Sequence, residues 1–474
     1  MYDVAVIGAG VVGAFCAREL KKYDLDVVVA ESAEDVAAGA SRANSGIVHA
    51  GFDAPAGSLK AKFNLEGNRR MEEVCRELGV KFIRNGSLVL AGKGQEEPLQ
   101  ALFERGVRNG VTGLAVIGRD QLLEMEPNAA EGAWQALYAP TGGVVCPYGL
   151  TIAAMGNAMD NGAALQCGFK AISAERCAGG WTLHAQSGQT LSARVVINCA
   201  GYGAAQVAAL FGDRSFRIGA RKGEYMLLDK SCGGFVRHTM FSLPTAAGKG
   251  VLVTPTADGN VLVGPTSVEE AEYDVSVRRE GFDDIRAKAR LLMKDIPFAQ
   301  TITSFAGVRA YSDRHDFIVE WSSVCEGLFH VAGIESPGLT SAPALGAYAA
   351  EQVAAKLGAG KNEKFDPVRR PQHWFRSLSD EEKNEVISRR PEYGKIVCRC
   401  EEVTLGEILD AMRANPPAHT LDGVKLRTRA GMGRCQSGFC QPSVFDLLRT
   451  EYGLQAGEVT KNGGKSFIIA GGEL

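Results

Sequence analysis

The sequence lacks a marked excess of charge of either sign, and it lacks any long run of apolar residues. Its 52 Lys and Arg residues against 55 Asp and Glu residues leave a formal net charge of −3, which excludes the basic footprint of a nucleic-acid-binding protein. No apolar run approaches the roughly 20 residues that span a bilayer as a helix. We therefore predict no nucleic-acid partner and no transmembrane segment, while peripheral contact with a membrane stays open.

The first residues also lack the signature of a secretory signal. The segment MYDVAVIGAG leads straight into a predicted strand, without a basic region or a cleavage site. We therefore expect no signal peptide and a cytoplasmic location. The length of 474 residues is too great for one ordinary core and predicts two or three domains, at about 150 residues per domain.

Cysteine is unevenly distributed. Eight of the twelve cysteines are scattered over the first 325 residues, as expected for small buried hydrophobic side chains. The other four, Cys398, Cys400, Cys435 and Cys440, fall within 43 residues near the end of the sequence. A tight group of this kind in a long chain is more often a metal site than a set of disulfides.

A glycine-rich turn follows the first predicted strand. Residues 2–7 are apolar, Gly8, Gly10 and Gly13 have GxGxxG spacing, and a helical segment leads to a second buried strand that ends at Glu31. Gly8 allows a tight turn, Gly10 lets backbone N–H groups approach a pyrophosphate, and Gly13 permits close helix–strand packing. Glu31 would accept hydrogen bonds from a ribose. The unit predicts a dinucleotide site without choosing between NAD and FAD.

Three later segments resemble the D-amino-acid-oxidase-like flavoprotein superfamily, which includes glycerol-3-phosphate and L-2-hydroxyglutarate dehydrogenases. They are GASRANSGIVHAGFD at 39–53, VVINCAGYG at 195–203 and FHVAGIESPGLTSAPALG at 329–346. The resemblance covers residues 1 to about 357 and implies FAD as the cofactor. It implies an α/β fold (α+β overall), with a Rossmann-like FAD-binding domain and an inserted antiparallel substrate domain.

The helix that begins after Gly338 would point its N-terminal dipole at the flavin pyrimidine. Within the substrate domain, residues 221–229, 250–256 and 260–266 are predicted strands. The predicted division is 1–50, 145–210 and 305–357 for the FAD-binding domain, 51–144 and 211–304 for the substrate domain, 358–394 for a linker and 395–474 for a small helical C-terminal domain. The candidate FAD contacts are Gly8, Gly10, Gly13, Glu31, Ser41, Arg42, Asn44, Ser45, Gly46, Lys170, Ala200, Gly201, Gly307, Gly333, Gly338, Leu339 and Thr340.

Two residues are candidates for the substrate chemistry of such a flavoprotein. Arg309 follows Gly307 at a position that matches the superfamily's substrate arginine, and its planar guanidinium suits a carboxylate or phosphate. His49 is the candidate base, because histidine changes charge near neutral pH. The alternatives are a surface ion pair for Arg309 and a core histidine satisfied by backbone for His49.

The four clustered cysteines, spaced CxC, 34 residues and CxxxxC, each lie near a helix signal. Thr404 with Glu407 forms a predicted capping box, and Ser443 with Asp446 resembles a second one. We therefore expect the thiols near two helix N-termini, whose dipoles favour thiolates and an anionic cluster. The residues expected to assist are Arg399, Arg427, Arg429 and Arg434 by their charge, and Gly431 and Gly433 by close approach of their backbone amides.

Residues 395 to about 450 resemble the bacterioferritin-associated-ferredoxin-like 2Fe–2S domain, as it is fused in the large subunit of anaerobic glycerol-3-phosphate dehydrogenases. The resemblance implies that Cys398, Cys400, Cys435 and Cys440 hold a 2Fe–2S cluster. A structural zinc site is the alternative, although CxC spacing suits it poorly. Family organisation also implies a hetero-oligomer with other redox subunits, which would take electrons from the cluster.

The motifs that bear on the substrate favour two different compounds. Residues 44–46 and 57–60 are most similar to L-2-hydroxyglutarate dehydrogenases, whereas the C-terminal domain resembles that of the glycerol-3-phosphate enzymes. We therefore expect an FAD-dependent dehydrogenase of a small anionic secondary alcohol, either glycerol 3-phosphate or a 2-hydroxy acid of the L-2-hydroxyglutarate type. An amino- or imino-acid oxidase or dehydrogenase of the same superfamily and a non-catalytic electron-transfer subunit remain alternatives.

Overall fold

Two large β-sheets dominate the protein, whose computed structural model describes residues 1–244, 250–371 and 374–469. The fold is the expected mixed α/β one. The strands, in chain order, are Tyr2–Ile7 (β1), Val27–Ala30 (β2), Ile47–Val48 (β3), Phe82–Ile83 (β4), Ser87–Ala91 (β5), Ala115–Gly118 (β6), Gln135–Ala139 (β7), Gly143–Val145 (β8), Ala164–Gln166 (β9), Ala171–Cys177 (β10), Gly180–Ala185 (β11), Thr190–Asn198 (β12), Ile218–Leu228 (β13), Thr239–Ser242 (β14), Leu252–Pro255 (β15), Val261–Gly264 (β16), Val268–Glu270 (β17), Thr301–Ser312 (β18), Ile318–Trp321 (β19), Leu328–Ala332 (β20), Ile396–Cys398 (β21) and Val403–Thr404 (β22).

The helices connect and cover these sheets. Within the part of the chain that the structure describes, none combines the length and apolar composition needed to cross a membrane. They are Val11–Leu20 (α1), Leu59–Glu77 (α2), Glu96–Asn109 (α3), Arg119–Met125 (α4), Pro147–Asp160 (α5), Ala204–Leu210 (α6), Arg279–Ala289 (α7), Gly338–Leu357 (α8), Asp380–Arg389 (α9), Leu405–Arg413 (α10), Leu421–Thr428 (α11) and Gln441–Tyr452 (α12).

The first large sheet has the N-terminal strand at its centre. Its parallel strands lie in the order β9, β2, β1, β12 and β20, and β10, β11 and β19 add antiparallel pairings. β1 and β2 are nearly continuous in Val, Ile and Ala, as expected for parallel strands that are buried on both faces. Helices α1, α5 and α8 pack with these strands in one apolar cluster. The carboxyl end of β1 is therefore held beside the start of α1.

The second large sheet runs β17, β13, β16, β15, β14, β5, β7 and β6, with β18 along the other edge of β13. Its pairings are antiparallel except that of β5 with β14. The predicted strands at 221–229, 250–256 and 260–266 are confirmed as β13, β15 and β16. β18 crosses the predicted boundary at residue 305, because it pairs with β13 along most of its length. The boundaries themselves stay a prediction.

The C-terminal part is small and largely helical. The hairpin of β21 and β22 and helices α10, α11 and α12 enclose their own apolar cluster. The capping box of Thr404 with Glu407 at the start of α10 is confirmed. The second predicted cap was wrong: α12 begins at Gln441, ahead of Ser443, and has Pro442 in its first turn. Proline is favourable there because the N–H that it lacks has no helical partner.

Candidate active site and thiol cluster

A cavity of about 1170 Å³ lies between the two large sheets. On one side it is lined by the β1–α1 turn, the end of β2 and the loop after β12, and on the other by residues of β13, β14, β15 and β18. Small-molecule pockets usually measure about 300–1,000 Å³. The cavity is therefore large enough for a dinucleotide and a small substrate together.

The glycine-rich turn brings backbone close to backbone at one end of this cavity. Gly8 has a φ of +104°, and a Cβ there would lie 2.5 Å from the carbonyl oxygen of Cys199. A Cβ at Gly13 would overlap the carbonyl oxygen of Gly8. Gly10, the N-cap residue of α1, has no side chain, and the Ser41 hydroxyl accepts from the backbone N–H of Val11 at 2.8 Å. The later amides of the first turn and the positive dipole end stay available to a pyrophosphate.

Glu31 lies directly beyond the end of β2, in the wall of the cavity. Its two carboxylate oxygens accept hydrogen bonds from the backbone N–H groups of Ala9 and Ala33, at 2.7 and 2.8 Å, and from the Ser32 hydroxyl at 3.1 Å. An ionised carboxylate has about four acceptor positions, so capacity remains for one hydroxyl of a ribose. Together with the amides of α1, this acceptor set fits the adenosine side of FAD.

The N-terminus of α8 lies at the other end of the cavity. Gly338 and Leu339 line the cavity, and the N-cap residue Pro337 provides no capping side chain. Because α8 has 20 residues, its dipole places partial positive charge at this point. The end of α8 is therefore suited to stabilise negative charge on a flavin pyrimidine.

His49 follows β3 and stands in the cavity wall near α8. Its backbone N–H donates to Thr340 Oγ1 at 2.9 Å, and its carbonyl oxygen accepts from Asn64 and Asn68, each at 3.0 Å. Its ring Nε2 lies 3.3 Å from Ser336 Oγ. Three side chains thus hold the main chain of His49, and a fourth orients its ring.

Arg309 lies on β18 and is also in the cavity wall. Its guanidinium donates to the carbonyl oxygens of Thr266 at 2.9 Å, Lys222 at 3.3 Å and Arg221 at 3.4 Å. Burial lowers the pKa of Arg309 from its ordinary value, while nearby Tyr225 acts in the opposite direction. The fork is therefore held rigidly at the cavity by main-chain acceptors.

A charged group that sequence reasoning did not assemble lies beside these two residues. Glu335 accepts from Lys60 Nζ at 2.8 Å through one oxygen and from Arg221 Nη1 at 3.3 Å through the other. Arg221 is the cross-strand partner of Arg309 between β13 and β18. Only the strand register brings the two arginines together. Arg221, Glu335, Ser336 and the two asparagines were missed, because no local pattern marks them.

Most of the predicted FAD contacts line the cavity, and the others are not among its lining residues. Gly13 packs against the glycine-rich turn, Thr340 binds the main chain of His49, and Gly333 packs against Ser312. Direct contact of Gly13, Arg42, Gly46, Gly333 and Thr340 with FAD stays a prediction. The predicted contacts that line the cavity are Gly8, Gly10, Glu31, Ser41, Asn44, Ser45, Lys170, Ala200, Gly201, Gly307, Gly338 and Leu339.

The four clustered cysteines meet as two pairs. Cys398 lies close to Cys440 and Cys400 lies close to Cys435, and the two pairs are near enough to interact electrostatically with each other. Among the described residues, no three His, Cys, Asp or Glu side chains are arranged as ligands of one metal ion. Two pairs supply two thiolates to each iron of a 2Fe–2S cluster. The arrangement therefore fits a binuclear centre better than the alternative zinc site.

The backbone around the thiols is shaped for an anion. Burial raises the pKa of Cys435, but hydrogen bonds from Cys400 and from the backbone N–H groups of Ser437, Gly438 and Phe439 outweigh it and leave the pKa below its ordinary value. Successive N–H groups that point at one sulfur form an anion-binding nest. The backbone N–H of Gly431 donates to the sulfur of Cys398 at 3.5 Å.

Two of the arginines expected to assist the thiols connect the cluster domain to the rest of the chain instead. Arg427 is buried and forms a two-pronged pair with Asp35, at 2.7 and 2.8 Å. Arg429 binds Glu401 at 2.8 Å and Asp258 at 2.6 Å. Both charges are paired with carboxylates, and their effect on the thiolates stays a prediction. Both attach the cluster domain to the two-sheet body.

Replacement of Cys435 by serine is expected to abolish the 2Fe–2S cluster and to leave the flavin site intact, because the cysteine lies in the C-terminal domain and away from the cavity. Iron content and the electron paramagnetic resonance signal of the reduced protein measure the first effect, and flavin absorbance measures the second. Cys325→Ser, a buried cysteine of the body, is the control. Full iron content in Cys435→Ser would contradict the ligand assignment.

Comparison with known proteins connects both sites to described families. Residues 3–352 match the family described as FAD dependent oxidoreductase, and residues 396–450 match the BFD-like [2Fe-2S] binding domain. The chain is 43% identical to a glycerol 3-phosphate dehydrogenase of Caloramator mitchellensis, over 99% of this chain and 98% of the relative. It is 28% identical to the L-2-hydroxyglutarate dehydrogenase of Escherichia coli K12, over 66% and 72% of the two chains.

A solved structure shares the fold of the two-sheet body. The L-α-glycerophosphate oxidase of Mycoplasma pneumoniae, dithionite-reduced and with FAD bound, superimposes with a TM-score of 0.74 at 24% identity. The match covers 78% of this chain and 98% of the oxidase. Because the share of the oxidase is nearly complete, the part of this chain beyond the match is an addition to that fold.

Proposed function

The chain belongs to the family of FAD dependent oxidoreductases, and from this membership we propose that it oxidises glycerol 3-phosphate and passes the electrons through its cluster to a partner. It is an oxidoreductase acting on a CH–OH group, and its cofactors are FAD and a 2Fe–2S cluster. The observation that carries the substrate class is that His49, Arg309, Arg221 and Lys60 line the same cavity.

The cationic side chains of the cavity support an anionic substrate. Lys60 and Arg221 share the carboxylate of Glu335, and Arg221 also pairs with Glu269 at 3.1 Å. The contacts of Arg309 are to neutral carbonyl oxygens. The group therefore has more positive than negative charge before substrate binds. Nε and Nη2 of Arg309 already donate to carbonyl oxygens, which leaves its Nη1 as the donor to a phosphate oxygen. Arg309 is therefore the proposed anchor, and Arg221 a second donor.

His49 is the proposed base. When bound, FAD supplies the acceptor for the hydride that leaves the substrate carbon. His49 Nε2 takes the proton of the substrate hydroxyl, which replaces Ser336 Oγ as its hydrogen-bond partner. Because Thr340, Asn64 and Asn68 hold the main chain, the ring keeps its position while it gains the proton. A base that is placed in this way contributes about 10²–10⁴-fold to the rate.

L-2-Hydroxyglutarate is the second candidate substrate. Relatives with that activity in their names are 28–30% identical over about two thirds of this chain, and a carboxylate suits the same arginines as a phosphate. Glycerol 3-phosphate is preferred, because the relative with that name matches nearly the whole chain, the cluster domain included.

The substrate is tested by anaerobic mixing of the holoenzyme with single compounds while the flavin absorbance is followed. We expect glycerol 3-phosphate to bleach the flavin fastest, with L-2-hydroxyglutarate slower and with glycine and L-proline inactive. Faster reduction by L-2-hydroxyglutarate would select the second candidate. Reduction by an amino acid alone, or by none of the compounds, would contradict the proposal.

The cluster supports transfer of electrons to a protein partner, because iron–sulfur centres exchange electrons one at a time. We propose other redox subunits as the receiving partners, in a hetero-oligomer. A cytoplasmic location and peripheral contact with a membrane stay predictions. Molecular oxygen is not needed as the electron acceptor in this scheme, because the electrons leave through the cluster.

A further inference from the structure

Phe439 is unusually exposed for a large apolar side chain. It stands between the cluster cysteines Cys435 and Cys440, and 87% of its surface is accessible, whereas Cys440 is buried. Single exposed hydrophobic residues are common and by themselves indicate nothing. The position of this one, directly on the thiol cluster, is what distinguishes it.

The exposure of Phe439 follows from the backbone around it. The backbone N–H groups of Ser437, Gly438 and Phe439 lie close to the sulfur of Cys435. Gln436 and Ser437 adopt left-handed backbone conformations, with φ of +46° and +75°, which non-glycine residues rarely do. The loop therefore bends round the Cys435 sulfur, and the phenyl ring of Phe439 is left largely exposed to solvent.

The exposed charged residues nearest the thiols along the chain are mainly basic: Lys395, Arg399 and Arg434, with Glu402 as the acidic one. Cys400 is exposed too and lies near Arg434. Arg434 pairs with Asp229 but keeps 68% of its side chain exposed. Within the described ranges, neither Lys395 nor Arg399 has a carboxylate at salt-bridge distance. This local positive charge opposes the net charge of the chain, which is −3.

We propose that this surface docks a small acidic protein that carries one electron. We call it the cluster face and define it by Arg399, Cys400, Arg434, Gly438 and Phe439. An apolar anchor within a cationic rim matches the usual anatomy of an interface, and the rim steers an acidic partner towards the exposed edge of the cluster. A membrane is a poorer match, because interfacial binding requires a broad apolar face and this face has one large apolar side chain.

The proposal rests on the proposed exit of electrons through the cluster, and its electrons balance. Oxidation of a secondary alcohol to a ketone releases two electrons and two protons. The protons pass to solvent. The cluster gives up one electron at a time, so two oxidised carriers, each with a ferric centre, become ferrous for every substrate molecule that is oxidised.

Binding is measured by titrating the holoenzyme with zinc-substituted rubredoxin, an acidic carrier that the zinc makes redox-inert. We expect binding that weakens steeply as salt is raised, and a Kd at least tenfold higher in Phe439→Ala and in Arg399→Glu. The matched controls are Leu291→Ala and Arg279→Glu, which change exposed side chains near or on α7. Arg399→Gln, which removes charge without reversing it, replaces Arg399→Glu if that variant loses iron.

Three outcomes would overturn the proposal: no binding at low salt, equal weakening in the controls, or tighter binding of the basic carrier cytochrome c. Binding to anionic lipid vesicles that Phe439→Ala abolishes would assign the face to a membrane instead. Bleaching of the flavin by glycerol 3-phosphate tests the proposed function independently of docking. None of these variants should alter that bleaching. If that bleaching fails while rubredoxin still binds, the substrate is wrong and the docking face stands.

Discussion

Replacement of His49 by glutamine is expected to slow reduction of the flavin by substrate about 10²–10⁴-fold, because the base that takes the hydroxyl proton is lost. Glutamine keeps a polar side chain of similar reach but cannot accept a proton near neutral pH. The contacts from Thr340, Asn64 and Asn68 go to the main chain of residue 49, so they survive the change. FAD content should therefore stay normal.

The rate is measured by rapid mixing under anaerobic conditions at saturating glycerol 3-phosphate. His184→Gln is the control, since His184 lies on β11 in the first sheet and away from the cavity. Its rate should equal that of the unchanged protein. A loss of less than about tenfold in His49→Gln would lie below the range for a general base and would mean that another group takes the proton.

Removal of the Arg309 guanidinium is expected to weaken substrate binding by about 2–5 kcal/mol. At about 1.4 kcal/mol per tenfold change, the dissociation constant should rise about 30- to 4,000-fold. The effect is large because three main-chain carbonyl groups hold the guanidinium in place, so little side-chain entropy is lost on binding. Two variants separate charge from shape, Arg309→Ala and Arg309→Lys.

The dissociation constant of Arg309→Lys should lie between those of the unchanged protein and of Arg309→Ala, because lysine keeps the positive charge and loses the planar guanidinium. Substrate affinity is measured from the concentration dependence of flavin bleaching, with FAD retention as the check on folding. Arg279→Ala, at a side chain that is 91% exposed on α7, is the control. Unchanged affinity in Arg309→Ala would transfer the anchoring role to Arg221 and Lys60.

Ion pairs of two arginines attach the cluster domain to the two-sheet body. The buried Arg427 pairs with the half-buried Asp35, which belongs to the same loop region as Glu31, beside the predicted ribose site. Arg429 joins Glu401 of the cluster domain to Asp258 of the second sheet. Breaking a buried pair by removing one partner typically costs about 3–5 kcal/mol. Pairs of this kind hold the cluster domain in one position against both sheets.

Signals that span a few neighbouring residues were sufficient to predict the strands, turns and helix caps that they encode. The glycine spacing, the buried strands and the capping box of Thr404 with Glu407 were predicted and are present. The prediction failed at Ser443, where a cap signal competes with Pro442 and the helix takes the earlier start. Capping signals of similar strength within a few residues cannot be ranked without the surrounding packing.

The sequence by itself determined the two redox families, because glycine turns, cysteine spacing and helix caps act over a few neighbouring residues. The tertiary structure alone decided which charges meet. Arg427 and Asp35 are 392 positions apart, and Arg221 reaches Arg309 only through the register of β13 with β18. Such pairs depend on strand register and domain placement, which are set by the summed packing of the whole chain and leave no periodic trace in any one segment.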